Sequence, residues 1–211
     1  MAAMCFGTRK RSGWVIDREQ EIAEARRLAR GAVQLGKDDA TALAFAGSVL
    51  AYVAGELDDG AAFLDRALLI NSNLASGWSY SGFVTMWLGE PDRAVECFAR
   101  AMRLSPIDPR AFMMKQGMAH AHFFAGRYDD ALNWAKMVLR ERPDSHGSLR
   151  IAAASCAIAG YAEEAKRLMA RLLEIDPALR ISTLKNVVGP YRQPEYLATY
   201  ADALRKAGLP E

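Results

Sequence analysis

Three kinds of residue in this chain could carry chemistry, and their spacing decides what each can do. His120 and His122 form a His-x-His pair. On a helix, residues two apart point about 200° away from each other, so the two imidazoles cannot share a metal ion. His146 is remote in sequence, with no carboxylate or cysteine cluster in register. Cys156 lies in the small-residue run AAASCAIAG without a His or Asp partner in register, which suits a core thiol better than a nucleophile. The acid pairs Asp58-Asp59 and Asp129-Asp130 each precede an amphipathic run, where acids favour a helix N-terminus. The glycines are spread along the chain and form no phosphate loop. Basic residues are not interleaved with aromatics as an RNA surface requires. The residues thus predict no catalytic, cofactor or metal site: the chain does not read as an enzyme.

Bulk properties narrow the partners. The 211 residues carry 27 basic and 25 acidic side chains, a net charge of +2, too balanced for a nucleic-acid binder. The one short basic cluster, Arg9-Lys10-Arg11, neutralises few phosphates and reads as part of a solvated tail. Cys5, Cys97 and Cys156 are odd in number and fit no Cys-x-x-Cys pattern, which suggests buried thiols in a reducing, cytoplasmic setting. The start, MAAMCFGTRKRSGW, has its charges after the apolar residues and does not read as a signal peptide. No stretch approaches the roughly 20 apolar residues of a membrane span. Apolar residues make up 51%, enough for a continuous core.

What organises the chain is a spacing. Gly55, Gly89, Gly126 and Gly160 recur at intervals of 34, 37 and 34 residues. Five residues after each stand Gly60, Ala94, Ala131 and Ala165. Four further come Leu64, Phe98, Ala135 and Met169, and three more bring Ala67, Ala101, Val138 and Leu172. These intervals share one helix face. Ser72, Pro106, Pro143 and Pro177 close the units, proline because it cannot continue a helix. Each glycine sits in the turn before its helix, where positive φ costs little. Upstream of each lies a second amphipathic run, with Gly47, Gly82, Ala119 or Ala153 to let the two helices approach. A unit is therefore a helix hairpin whose apolar faces only its neighbours can cover.

At these residues the chain resembles the tetratricopeptide repeat (TPR) family. Trp78, Gly82, Gly89, Ala94, Phe98, Ala101 and Pro106 all stand at family-signature positions. Gly60 and Ser72 depart from the pattern, and the third unit carries a three-residue insertion around SPIDPR that should lengthen a loop or the following helix. The resemblance implies an all-α fold: about ten or eleven helices in antiparallel pairs, forming one right-handed superhelix with terminal capping helices. The expected organisation is a flexible tail over 1–13 and a single helical repeat domain over 14–211. Within that domain 14–39 hold the helix of a partial repeat, 40–177 the four repeats and 178–211 a capping segment. Asp17 can N-cap the first of these helices, with Gln20 completing a capping box, and Pro194 opens the last. The stretch 178–193 reads as a short helix plus an extended crossing.

A narrower likeness lies in the stretches AMRLSPIDP, MAHAHFFAGRYDDAL, IAAASCAIAG and DPALRIS with PYRQPEYL and ADALRKAGLPE. They resemble the C-terminal repeat region of bacterial class III adenylate cyclases of the rhizobial type. On that resemblance the catalytic domain lies outside this chain, which would be the regulatory part. In helical solenoids the first helix of each hairpin lines the inner side. The partner groove expected there comprises Phe45, Ser79, Phe83, Met86, Met113, Gln116, His120, Phe123 and Arg150. It would suit an apolar or amphipathic segment, unless the chain's own terminal helices cover it. Arg150 is its sole fixed positive charge, which disfavours a grip on a peptide's C-terminal carboxylate. The expected partner is a protein or peptide: a cyclase catalytic domain, a peptide bound by a free-standing adaptor, or a second copy of the chain. A weak homodimer follows if Phe6, Trp14, Ile22, Leu28 and Val33 leave an apolar N-terminal end uncovered. The alternative is that residues 1–16 fold back over that end.

Overall fold

The computed structural model describes residues 2–11 and 15–211. All regular structure among them is helical: α1 (Ala2–Arg11), α2 (Arg18–Leu35), α3 (Ala40–Val49), α4 (Leu57–Ile70), α5 (Ala75–Leu88), α6 (Pro91–Leu104), α7 (Ala111–Phe124), α8 (Tyr128–Glu141), α9 (His146–Ala159), α10 (Ala162–Ile175) and α11 (Pro194–Ala207). A π-turn, Leu50–Ala54, extends α3, and a 3-10 turn spans Leu184–Asn186. The chain divides into two compact units: Met1–Pro106 with Asn186–Arg192, and Ile107–Lys185 with Gln193–Glu211. In the first, α3 pairs with α4 and α5 with α6. In the second, α7 pairs with α8 and α9 with α10.

The second helix of each hairpin is amphipathic in the way its spacing dictates. On α6 the buried residues are Ala94, Cys97, Phe98 and Ala101; on α8 they are Ala131, Leu132, Ala135 and Val138; on α10 Ala165, Met169 and Leu172. The first helices are buried on more than one side, α9 without a break from Gly147 to Cys156. Asp17 caps α2, accepting from Gln20 N at 3.0 Å, and Asp39 caps α3 by accepting from Thr41 N and Ala42 N. The turn glycines take the left-handed conformation expected of them, with φ of 76°, 96°, 77° and 89° at Gly55, Gly89, Gly126 and Gly160.

Two departures from the family pattern have local causes. A Cβ on Gly60 would lie 2.7 Å from the Gly47 carbonyl oxygen and 2.7 Å from the Ala51 Cβ. The π-turn runs through Ala51, and α3 and α4 approach so closely there that alanine does not fit. The insertion is shared between two connections. Residues 105–110 link α6 to α7 with six residues where 71–74 and 142–145 use four, and 125–127 form a three-residue turn where 89–90 form a two-residue one. The boundary between the units falls inside the longer link.

At the N-terminal end, residues 2–11 form a helix where a tail was expected, and α1 packs on α2 and α3. Arg9 pairs with Glu21 at 2.6 Å, while Lys10 Nζ donates to the Tyr52 carbonyl at 2.5 Å and lies 4.5 Å from the centre of the Tyr52 ring. Burial lowers the Lys10 pKa to about 8, with Arg18 adding to the effect. Phe6, Ile22, Leu28 and Val33 are each half-buried. Trp14, expected at the same end, lies outside the described residues.

Phe98 anchors its hairpin. Its ring is fully buried, stands edge-on to Phe83 at 4.9 Å, and would lie within 2.8 Å of a Cβ on Gly82. The Phe98→Ala variant is expected to lose about 3–5 kcal/mol in urea unfolding. A loss below about 1 kcal/mol would show that this contact does not hold the hairpin together.

Candidate functional site

In the first unit the predicted groove residues fall on α3 and α5. Phe45 and Phe83 are half-buried; Ser79 and Met86 are buried. Phe45 packs 5.7 Å from Tyr80, and Phe83 meets Trp87 at 5.9 Å. Met86 retains 2% of its surface and serves the core. Beside this set, Tyr52 stacks on Trp87 at 5.3 Å and 18°. The segment 187–192 lies over the indole. Arg192 N donates to the Trp87 carbonyl at 2.8 Å, Arg192 Nη2 pairs with Asp58 at 2.6 Å, and Gly189 sits so close to the indole that any Cβ would collide with it. Here glycine is required by approach, not by φ.

A hollow of about 680 Å³ in the same unit is lined by Arg30, Glu56, Asp58, Asp59 and Arg192 among others. Its charges answer one another: Arg30 pairs with Glu56 and Asp59, and Arg192 with Asp58. The acid pair Asp58-Asp59 thus lies in the first turn of α4 and is bound to arginines.

In the second unit the predicted residues fall on α7 and α9, and α11 lies on them. Met113 and Gln116 are half-buried; His120, Phe123 and Arg150 are buried. Tyr200 of α11 is fully buried, with its ring 5.5 Å from Phe123 and 6.1 Å from His120. Tyr196, one turn earlier, stacks on Phe124 at 4.9 Å. Sequence periodicity places Tyr200 on the apolar face of the capping helix, but it carries no sign of which surface that face covers. Gln116 lies against the bare Cα of Gly147, where a side chain would strike its amide, and Ser145 Oγ lies 3.4 Å from its Oε1.

The two histidines diverge as the helical spacing requires. His120 Nδ1 lies 2.9 Å from the Gln116 carbonyl, the arrangement of an imidazole N–H donating one turn back. His122 turns to the other side, where its Nδ1 accepts from Arg127 Nε at 2.8 Å. No group of three metal-ligating side chains occurs among the described residues. Cys97 and Cys156 are buried, and burial pushes the Cys156 thiol up to about 11, away from thiolate character.

Burial brings the His120 pKa down to about 4; the Gln116 carbonyl opposes the shift and Arg150 adds to it. The charged groups facing the ring are Arg150 on α9 and, when ionised, Tyr200 on α11. Its neutral form belongs to the fold, whereas the unfolded chain takes up the proton below about pH 6.5. Stability therefore falls as pH drops from about 6.5 to about 4, by about 3 kcal/mol from this group. In urea unfolding at pH 7 and pH 4, His120→Gln is expected to lose about that much less than the parent. Equal losses would remove His120 as the cause.

No family model matches this chain, and no curated protein matches it. Among solved structures it is similar to YrrB, described as a TPR protein with an unusual peptide-binding site, at a TM-score of 0.56 and 20% identity over 85% of this chain and 90% of that one. It is similar to PilW, a widely conserved type IV pilus biogenesis factor, at 0.69 and 17% over 90% and 84%. It is also similar to MamA from Desulfovibrio magneticus RS-1, at 0.60 and 15% over 83% and 96%. Together with the helix hairpins and their turn glycines, these likenesses show the fold: this chain has the tetratricopeptide-repeat fold.

Proposed function

We propose that this chain is a non-catalytic protein-interaction module that takes apolar or amphipathic segments on the first helices of its hairpins. One observation carries the reading: both units already hold such segments from the same chain. An extended one, 187–192, lies on the aromatic set of α5, and a helical one, α11, lies on α7 and α9. Surfaces that accept a strap in one unit and a helix in the other have the chemistry that peptide recognition needs. His120 and His122 are engaged with Gln116 and Arg127, and Cys97 and Cys156 lie in the core.

Among the groove residues of the first unit, Phe45 and Phe83 are the half-buried aromatics that a partner would contact. An array of short apolar and amphipathic peptides is expected to yield ligands whose affinity falls about tenfold with Phe45→Ala or Phe83→Ala, the effect of one anchoring aromatic. Phe83 also touches Phe98, so thermal unfolding of each variant separates lost contact from lost stability. Capture unaffected by either change would move the site elsewhere on the molecule.

A more specific form of the proposal comes from the sequence resemblance to the cyclase C-terminal region. There the module regulates a class III adenylate cyclase catalytic domain. The expected finding is such a domain encoded in the same reading frame, with turnover that changes when the helical part is deleted. Unchanged turnover would leave the adaptor form standing alone.

A further inference from the structure

Arg150 stands on α9 with 6% of its surface exposed. Its Nε is buried without a hydrogen-bond partner, and no carboxylate among the described residues pairs with it. A desolvated guanidinium is normally met by an acid, because a buried cation without a counter-charge is costly. What faces Arg150 is uncharged. His120 is held neutral. Tyr200 of α11 brings its hydroxyl beside the guanidinium, where Arg150 partly offsets the effect of burial on the phenol, yet neither that hydroxyl nor Arg150 Nε has a hydrogen-bond partner of good geometry. The acids of α11 point elsewhere: Glu195 and Asp202 are exposed, and Asp202 accepts from Arg205. Lys115, the cation on α7, is committed to Glu141.

We propose that α11 is a displaceable occupant of the α7–α9 face, and that the partner replacing it is an amphipathic helix whose carboxylate pairs with Arg150. This rests on the reading of the chain as an interaction module and names the chemistry of the partner for this face. α11 has the form of a stand-in ligand. It is a separate 14-residue helix entered through an exposed stretch, 192–195, and its two tyrosines fill the aromatic set. It supplies shape, apolar contact and a neutral hydroxyl beside the guanidinium, but no counter-charge. A helix with the same apolar face and a glutamate where α11 has Tyr200 would supply the missing charge, and a charge-assisted pair in a site shut off from water is strong. Charge complementarity selects that occupant over an uncharged helix or a second copy of α11.

The test uses the full chain and two labelled peptides with the sequence of residues 194–207, one native and one carrying Tyr200→Glu, read by fluorescence anisotropy. In the parent chain both bind weakly, because α11 competes. In the Leu204→Ala chain, which loosens α11 without touching Arg150, the Tyr200→Glu peptide is expected to bind about tenfold tighter than the native one. Arg150→Gln should abolish that difference, chiefly by weakening the Tyr200→Glu peptide, and Arg150→Lys should retain part of it. Circular dichroism and thermal unfolding establish that each variant is folded. Equal affinity for the two peptides, a difference that survives Arg150→Gln, or no binding of either peptide to folded Leu204→Ala overturns the proposal. If peptides on the array are still captured through Phe45 and Phe83, the interaction-module reading outlives that failure.

Discussion

Every feature of this molecule depends on how closely the two helices of a hairpin can approach. Where Gly82 meets Phe98, and where Gly47 meets Gly60, the contact leaves no room for one more carbon. A hairpin closed that tightly buries the facing stripes of its two helices and leaves the remaining apolar surface to be covered from outside. The neighbouring hairpin covers one side. The other side, on α5 in the first unit and on α7 and α9 in the second, is covered by chain that belongs to no hairpin. The interior segments 187–192 and α11 follow from the geometry of the repeat.

That covering gives meaning to the polar groups within it. His120, Ser148, Arg150 and Ser155 are buried in or beside α7 and α9, in a family of surfaces that usually faces solvent or a ligand. Ser155 satisfies itself by donating to the Ile151 carbonyl, and His120 turns to Gln116. These residues have found partners within their own helix. Arg150 is too long and too charged to do the same, and its Nε stays without a hydrogen-bond partner.

Much of the fold was legible because it is periodic. The recurrence of Gly55, Gly89, Gly126 and Gly160 located the turns and their positive φ, and the intervals to Phe98 and its counterparts located the buried stripes. Asp17 and Pro194 marked helix starts through capping chemistry, which is local. The helix α1 was missed because its hold on the molecule is tertiary: Arg9 reaches Glu21, and Lys10 reaches Tyr52 across 42 positions of sequence. The candidate groove was legible as a set of positions but not as a state. Met86 and Phe123 carry no sign in their spacing of how deeply they are buried. Nothing local to Tyr200 says that it meets Phe123, or that a strap with Gly189 lies on Trp87. Those contacts join segments that no repeat relates.

The first unit is discontinuous: Asn186–Arg192 belong to it, yet the whole of Ile107–Lys185 intervenes in the chain. During synthesis the ribosome therefore delivers the four helices α3–α6 long before the strap that covers Trp87 in its aromatic set. Until residue 192 has cleared the exit tunnel, that aromatic patch faces the cellular milieu, with a loop of more than 75 residues still to be closed. The nascent first unit is thus the state of this molecule most exposed to holdase chaperones and to premature association, and translation speed over the second unit sets how long that state lasts.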